Sequence, residues 1–281
     1  MELITPMLVH VLPLLLVVAR LTGLFLFTPL LRSATIPRVF KALLAFMLAI
    51  ALYPSIPPID PMATIDIVQM VPLLFAELLI GISIGLIAAM PLYAMQMGGF
   101  IMGYQVGLSL AESFNPELDS NGSVIGLLLF YMSVFVFIGL GGFELLFLTL
   151  ADSFHTAPIG MFTAGDVPLD MFIEVINSGF ELAIRVASPV IAAVSMSQVA
   201  MGLVMKTMPQ VNIMSIGFAI QILTGLILLM LMLNVMGEVA GQEIDRVMDG
   251  LALWIQDLAT DSAHARALEA AAQSTPAAGG N

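Results

Sequence analysis

The chain has no cysteine, one tryptophan, and only eight lysines and arginines against twenty aspartates and glutamates in 281 residues. Without cysteine there is no disulfide pattern from which to read a redox compartment and no thiolate metal site. A net charge of −12 argues against nucleic acid as a partner and against a polybasic lipid-binding surface. The three histidines, His10, His155 and His264, have no ligand spacing. HExxH, GxSxG and P-loop lysine motifs are all missing. The AGD triplet at 164–166 has no second aspartate motif to make it a membrane protease, and the carboxylates form no persuasive acid/base pair. The sequence therefore predicts no enzyme, no cofactor and no metal.

Charge of either sign is also scarce. Charged residues make up 10% of the chain and hydrophobic residues 60%, where soluble domains carry about 25% charged residues. With a mean hydropathy of +1.06, this is an integral membrane protein or one embedded in an equally apolar assembly. The N-terminus does not read as a cleavable signal: Met1-Glu2 lacks a basic region, and the apolar run is long and contains Arg20. A span needs roughly 20 apolar residues. Six apolar segments are legible, at about 8–31, 42–53 (short for a span), 70–95, 124–150, 172–205 (with Pro189 as a kink) and 212–236. A polar tail follows. Its part from 238 to 268 is amphipathic, with Ile244, Val247, Leu251, Trp254 and Leu258 at helical spacing. The end of the chain, STPAAGGN, reads as disordered. Methionine is abundant, with 21 residues, and much of it clusters at 90–102 and 196–214. Packing filler in a bundle is the ordinary explanation; a deformable seal is the sharper one.

The most unusual stretch is QMGGFIMGYQVGLSLAESFNPELDSNGS, residues 96–123. Gly99, Gly103 and Gly107 recur every four residues, so they share one face if the stretch is helical. Gln96, Gln105, Ser109, Glu112 and Asn115 make it polar, Pro116 stops a helix, and it holds no Lys or Arg. Such backbone is tolerated at membrane depth only when buried in protein or lining a watery cavity. Basic residues cluster instead at Arg32, Arg38 and Lys41, with Lys206 in the last connection. The positive-inside rule places those connections in the cytoplasm. With six crossings, 96–123 falls on the same side, yet it carries no positive charge.

Charges within or near apolar segments are Arg20, Glu77, Glu144, Glu181 and Arg185. Intramembrane charges are costly and usually paired. Glu181 and Arg185 are four apart and can pair along one helix, and Arg20 with Glu77 is the inter-helix pairing the sequence offers. Bundle pairing outweighs an ion pathway, which would need a chain of carboxylates or histidines. Gly81 and Gly85 form a GxxxG, the signature of close helix packing. For Gly99, Gly103 and Gly107, close packing and a pore-facing role are equally supported.

The order of these pieces resembles the FliR family of flagellar and type III secretion export-gate proteins. The resemblance runs from RLTGLFLFTPLLRSATIPRVFKALLAFMLAIALYP through GGFIMGYQVGLSLAESFNPELDSNGSVIG and DSFHTAPIG to SPVIAAVSMSQVAMGLVMKTMPQVNIMSIGFAIQI, ending near residue 236. One departure is GGF at 141–143, where a histidine is expected after the glycines. The resemblance implies an all-α polytopic bundle of broken helical hairpins within a helical export-gate assembly. That assembly contains FliP and FliQ, is contacted by FlhB and FlhA, and sits in the bacterial inner membrane at the flagellar basal body. It passes unfolded substrates, and the glycine-rich connection closes its pore. Carried onto this chain, residues 1–236 form the gate domain, 98–122 the plug loop, 237–268 a C-terminal helix and 269–281 a disordered tail. Plug residues are Gly98, Gly99, Gly103, Gln105, Gly107, Ser109, Glu112, Asn115 and Pro116. The glycines serve close packing, and Gln105, Ser109 and Asn115 satisfy the plug backbone. Met95, Met97 and Met102 are the seal. The other reading is a secondary transporter with a midplane site between broken helices, which predicts internal repeats; no convincing repeat relates the halves.

Overall fold

The computed structural model describes residues 4–28, 37–56, 67–108, 123–157, 159, 169–207 and 213–274. Within them every regular element is helical: α1 (Ile4–Phe27), α2 (Arg38–Leu52, continued by a 3-10 turn at Tyr53–Ser55), α3 (Ile67–Val106), α4 (Val124–Gly139), α5 (Gly142–Thr156), α6 (Leu169–Thr207) and α7 (Ile213–Ser274). Four described stretches, Arg38–Ser55, Met70–Val106, Leu169–Thr207 and Ile216–Asp257, are long and apolar enough to cross a membrane. The pair α4 and α5, taken as one broken span, makes a fifth. The chain is an all-α polytopic membrane-type bundle.

Several boundaries differ from the sequence reading, each for a local reason. The first helix stops at Phe27 because Thr28 precedes Pro29, and a residue before proline is pushed out of the helical region. The second begins at Arg38: the Pro37 carbonyl accepts from the N–H groups of Phe40 at 3.0 Å and Lys41 at 3.3 Å, which lengthens the short segment to span length. The single segment expected at 124–150 is two helices. Gly141 takes a φ of +72°, a conformation that costs glycine little, and the chain turns there. The two helices are either one broken span or a re-entrant pair. Finally, α7 runs 62 residues without a break, so the amphipathic stretch at 237–268 continues the last span rather than forming a separate helix, and the helix takes in residues 269–274. Residues 275–281 lie outside the described ones.

The chain divides into two compact units, each assembled from separate parts of the sequence. One comprises 1–89, 143–172 and 248–281, the other 90–142 and 173–247. The first boundary falls beside Pro91, which lacks the N–H that would continue the helical ladder. In the first unit, Leu16, Leu21 and Leu24 of α1, Ile80, Ile84 and Ile87 of α3, and Leu150 and Phe154 of α5 are buried. Phe25 meets Phe147 edge to face, with centroids 6.5 Å apart. In the second unit, Met95, Met102 and Val106 of α3 pack in one core with Ile125 and Leu129 of α4, Val186 and Val190 of α6, and Leu229 and Met236 of α7.

Burying a leucine gains little over leaving it in lipid, so close fit at small residues has to hold such helices together. In the first unit α1 and α3 meet through three glycines. Gly23 faces the backbone of Leu78 and Ile82, and Gly81 and Gly85 face the backbone of Arg20 and Leu24. Much of α6 and α7 presents apolar side chains outward, including Met196 (74% exposed) and Met230 (80%). Apolar surface of this extent marks contact with lipid or partner proteins.

Candidate functional site

The glycine-rich stretch is helical as far as Val106, so its first half is the end of a long helix rather than a loop. A β-carbon on Gly98 would come within 2.9 Å of the Ala183 carbonyl of α6, and one on Gly99 within 2.7 Å of the Gly126 Cα and the Ile125 carbonyl. The approach is reciprocal: a β-carbon on Gly126 would lie 3.1 Å from the Gln96 carbonyl. A β-carbon on Gly103 would overlap the Ser123 hydroxyl. Gly99 and Gly126 thus bring α3 and α4 together at backbone distance, and Gly98 does the same for α3 and α6. Gly103 near the end of α3 and Ser123 just before α4 thus lie side by side and form a neck. Gly107 ends the helix with a φ of +90°, and its N–H donates to the Tyr104 carbonyl at 3.1 Å.

The neck is tied to two further helices. The Gln105 side-chain amide donates to Ser195 Oγ of α6 at 3.1 Å. Its backbone carbonyl accepts from the Gln221 side chain of α7 at 2.6 Å. Gln105 therefore joins the end of α3 to both α6 and α7. Ser123 Oγ is buried with no hydrogen-bond partner among the described residues. Met95 and Met102 are fully buried in the core of this unit, whereas Met97 is 40% exposed. Ser109, Glu112, Asn115 and Pro116 lie outside the described residues.

A second cluster lies in the other unit. Arg20 is fully buried, as is Glu77. Arg20 Nε donates to Glu77 Oε2 at 2.6 Å, and Nη2 sits 2.6 Å from the same oxygen. Nη1 donates to the Ser153 carbonyl at 2.9 Å and to Ser153 Oγ at 3.0 Å. Nη2 also donates to the Ala157 carbonyl at 3.1 Å. Each of the five guanidinium N–H bonds thus has an acceptor, and Arg20 Cζ lies 4.4 Å from the centroid of the Phe154 ring. The group clamps α1, α3 and the end of α5. Glu181 and Arg185 pair along α6, but both are more than half exposed. Such a pair contributes only a few tenths of a kcal/mol in water.

Sequence reasoning missed Ser153, Ala157, Ser195, Gln221 and Gly126. Gln221 carried a readable signal, an amide in the apolar run FAIQILTG. A backbone carbonyl such as that of Ala157 carries none. Among the described residues no three His, Asp or Glu side chains gather where they could hold a metal ion. The chemistry this arrangement offers is close packing and a neck pinned by hydrogen bonds.

Residues 11–247 match the family described as bacterial export proteins, family 1. The chain is 29% identical over 224 residues to the flagellar biosynthetic protein FliR of Bacillus subtilis, covering 79% of this chain and 86% of that one. It is 30% identical over 210 residues to FliR of Aquifex aeolicus, covering 74% and 81%. It is also 27% identical over 210 residues to the Yop proteins translocation protein T of Yersinia pestis, covering 74% and 80%.

Proposed function

The chain belongs to the bacterial export proteins of family 1, and from that membership we propose that it is a subunit of the flagellar type III export gate in the bacterial inner membrane, at the flagellar basal body. It is a conduit component rather than an enzyme. Its partners are FliP and FliQ within the gate, with FlhB and FlhA against it, and its cargo is unfolded flagellar subunits. The loop that begins after Gly107 closes the channel. The observation that carries the plug reading is the glycine crossing of Gly99, Gly103 and Gly126, reinforced by the two amide bonds at Gln105. It fixes the loop's neck to a packed core, so the loop can yield to a passing chain without unravelling its base. The broad apolar faces of α6 and α7 fit burial against other gate subunits. The remaining roles follow the same reading: Ser109, Glu112, Asn115 and Pro116 belong to the closing loop, and Met97 is the seal methionine left free to touch a substrate.

Two outcomes test this. Tagged protein expressed with FliP and FliQ should purify with both as one stable complex. A chain that purifies alone and moves a solute in liposomes would instead be a secondary transporter. Deleting residues 109–120 spares buried Val106 and the Ser123 contact, so the unit should still fold. In cells with the gate assembled, that deletion should raise ion leakage; unchanged conductance with normal assembly would sink the plug assignment.

A further inference from the structure

The first unit contains a groove between α1 and α2 that the export reading does not use. It has a volume of about 380 Å³, within the range of ligand sites, roughly 300–1,000 Å³. Its polarity is split end to end. Phe25, Leu26, Ala42 and Ala45 make an apolar floor, and Arg38 and Lys41 stand at one end. Arg38 and Lys41 are two of the eight basic residues in a chain of net charge −12, and both line this groove against the overall balance. The Arg38 side chain makes no ion pair with any described residue. The outer face of α2 is apolar, with Val39 75% and Met47 62% exposed, as on a helix that meets hydrocarbon.

We propose that this groove binds an anionic phospholipid, its phosphate between Arg38 and Lys41 and an acyl chain along Phe25, Ala42 and Ala45. A broad polybasic surface is excluded by the net charge, but a two-cation pocket at the end of a span is a different device, and basic pockets between membrane helices hold anionic headgroups. The lining suits a lipid: an acyl chain needs no hydrogen-bond partner from the apolar floor, and the outward face of α2 is itself apolar. An extended peptide would leave backbone N–H and C=O groups against the apolar floor without partners.

The test uses the full-length protein in nanodiscs of equal parts phosphatidylglycerol and phosphatidylcholine, with retained lipid identified by native mass spectrometry. The wild type should retain phosphatidylglycerol preferentially. R38Q/K41Q should lower that preference by about fivefold per cation removed, roughly thirtyfold in all. R38K/K41R should keep it, as should R185Q, which removes an exposed charge elsewhere. Ala42→Trp, which fills the groove from its exposed side, should also reduce retention. An unchanged preference in R38Q/K41Q, an equal loss in R185Q, or no preference in the wild type overturns the proposal. So does a photo-crosslinker at position 42 that captures a protein instead of lipid in cells.

Discussion

Glu77→Ala should lower the stability of the detergent-solubilised protein by about 3–5 kcal/mol, the usual cost of leaving one partner of a buried ion pair behind. The magnitude follows from the environment of Arg20. Its side chain has no solvent exposure, so the guanidinium cannot rehydrate when its counter-charge is removed. Two of its five N–H bonds point at the Glu77 carboxylate; the other three, held by Ser153 and Ala157, satisfy geometry but do not neutralise charge. Glu77→Gln should fall between wild type and Glu77→Ala, because it keeps an acceptor oxygen and loses the charge. Replacing both residues with methionine should cost less than Glu77→Ala, since it removes the buried charge altogether and Ser153 Oγ still donates to the Leu150 carbonyl at 2.6 Å. Thermal unfolding of the three variants beside the wild type checks this. A double variant as unstable as Glu77→Ala would show that the cluster acts through shape and not through charge.

Gly81→Ala should be nearly as damaging, although it adds a single methyl group. The new β-carbon would overlap the Arg20 carbonyl and lie 2.9 Å from the Leu24 N. Both are backbone atoms of α1, which cannot rotate aside as a side-chain end can. The helices would have to separate, with a cost of about 3 kcal/mol, the upper end for overpacking. The separation would also draw Arg20 from Glu77, which sits one turn before Gly81 on the same helix, so Gly81→Ala and Glu77→Ala should be markedly non-additive. Gly202→Ala supplies the control. Nothing lies within 4 Å of a β-carbon there, and alanine favours a helix interior over glycine by about 1 kcal/mol. If proteolysis and thermal unfolding show Gly81→Ala to be as stable as Gly202→Ala, the tight α1–α3 crossing is wrong.

Much of this protein is legible without coordinates. The scarcity of charge and the long apolar runs demand helices in an apolar setting, because backbone polar groups in such a setting must pair within their own segment. The order of the motifs points to the export family. Arg20 and Glu77 stand out because a charge in an apolar run needs a counter-charge, and the four-residue glycine spacing marks a close approach. What stayed hidden is what each of those residues faces. Gln105 reaches Ser195 and is reached by Gln221, residues 90 and 116 positions away. The break at Gly141 had a readable signal in the glycines at 139, 141 and 142, but the turn itself depends on one backbone angle.

The amino-acid order alone therefore determined class, family and the need for pairing, since these follow from solvation and from local periodicity. Tertiary structure decided the partners. It closed the Arg20 clamp with carbonyl groups that every residue possesses, and it set Gly103 against Ser123 so that the loop has a neck. It also interleaved distant segments into two units. Those choices depend on which helices cross and at what distance. A sequence can state that a small residue permits close approach, but only the packed chain fixes which backbone comes to occupy the space.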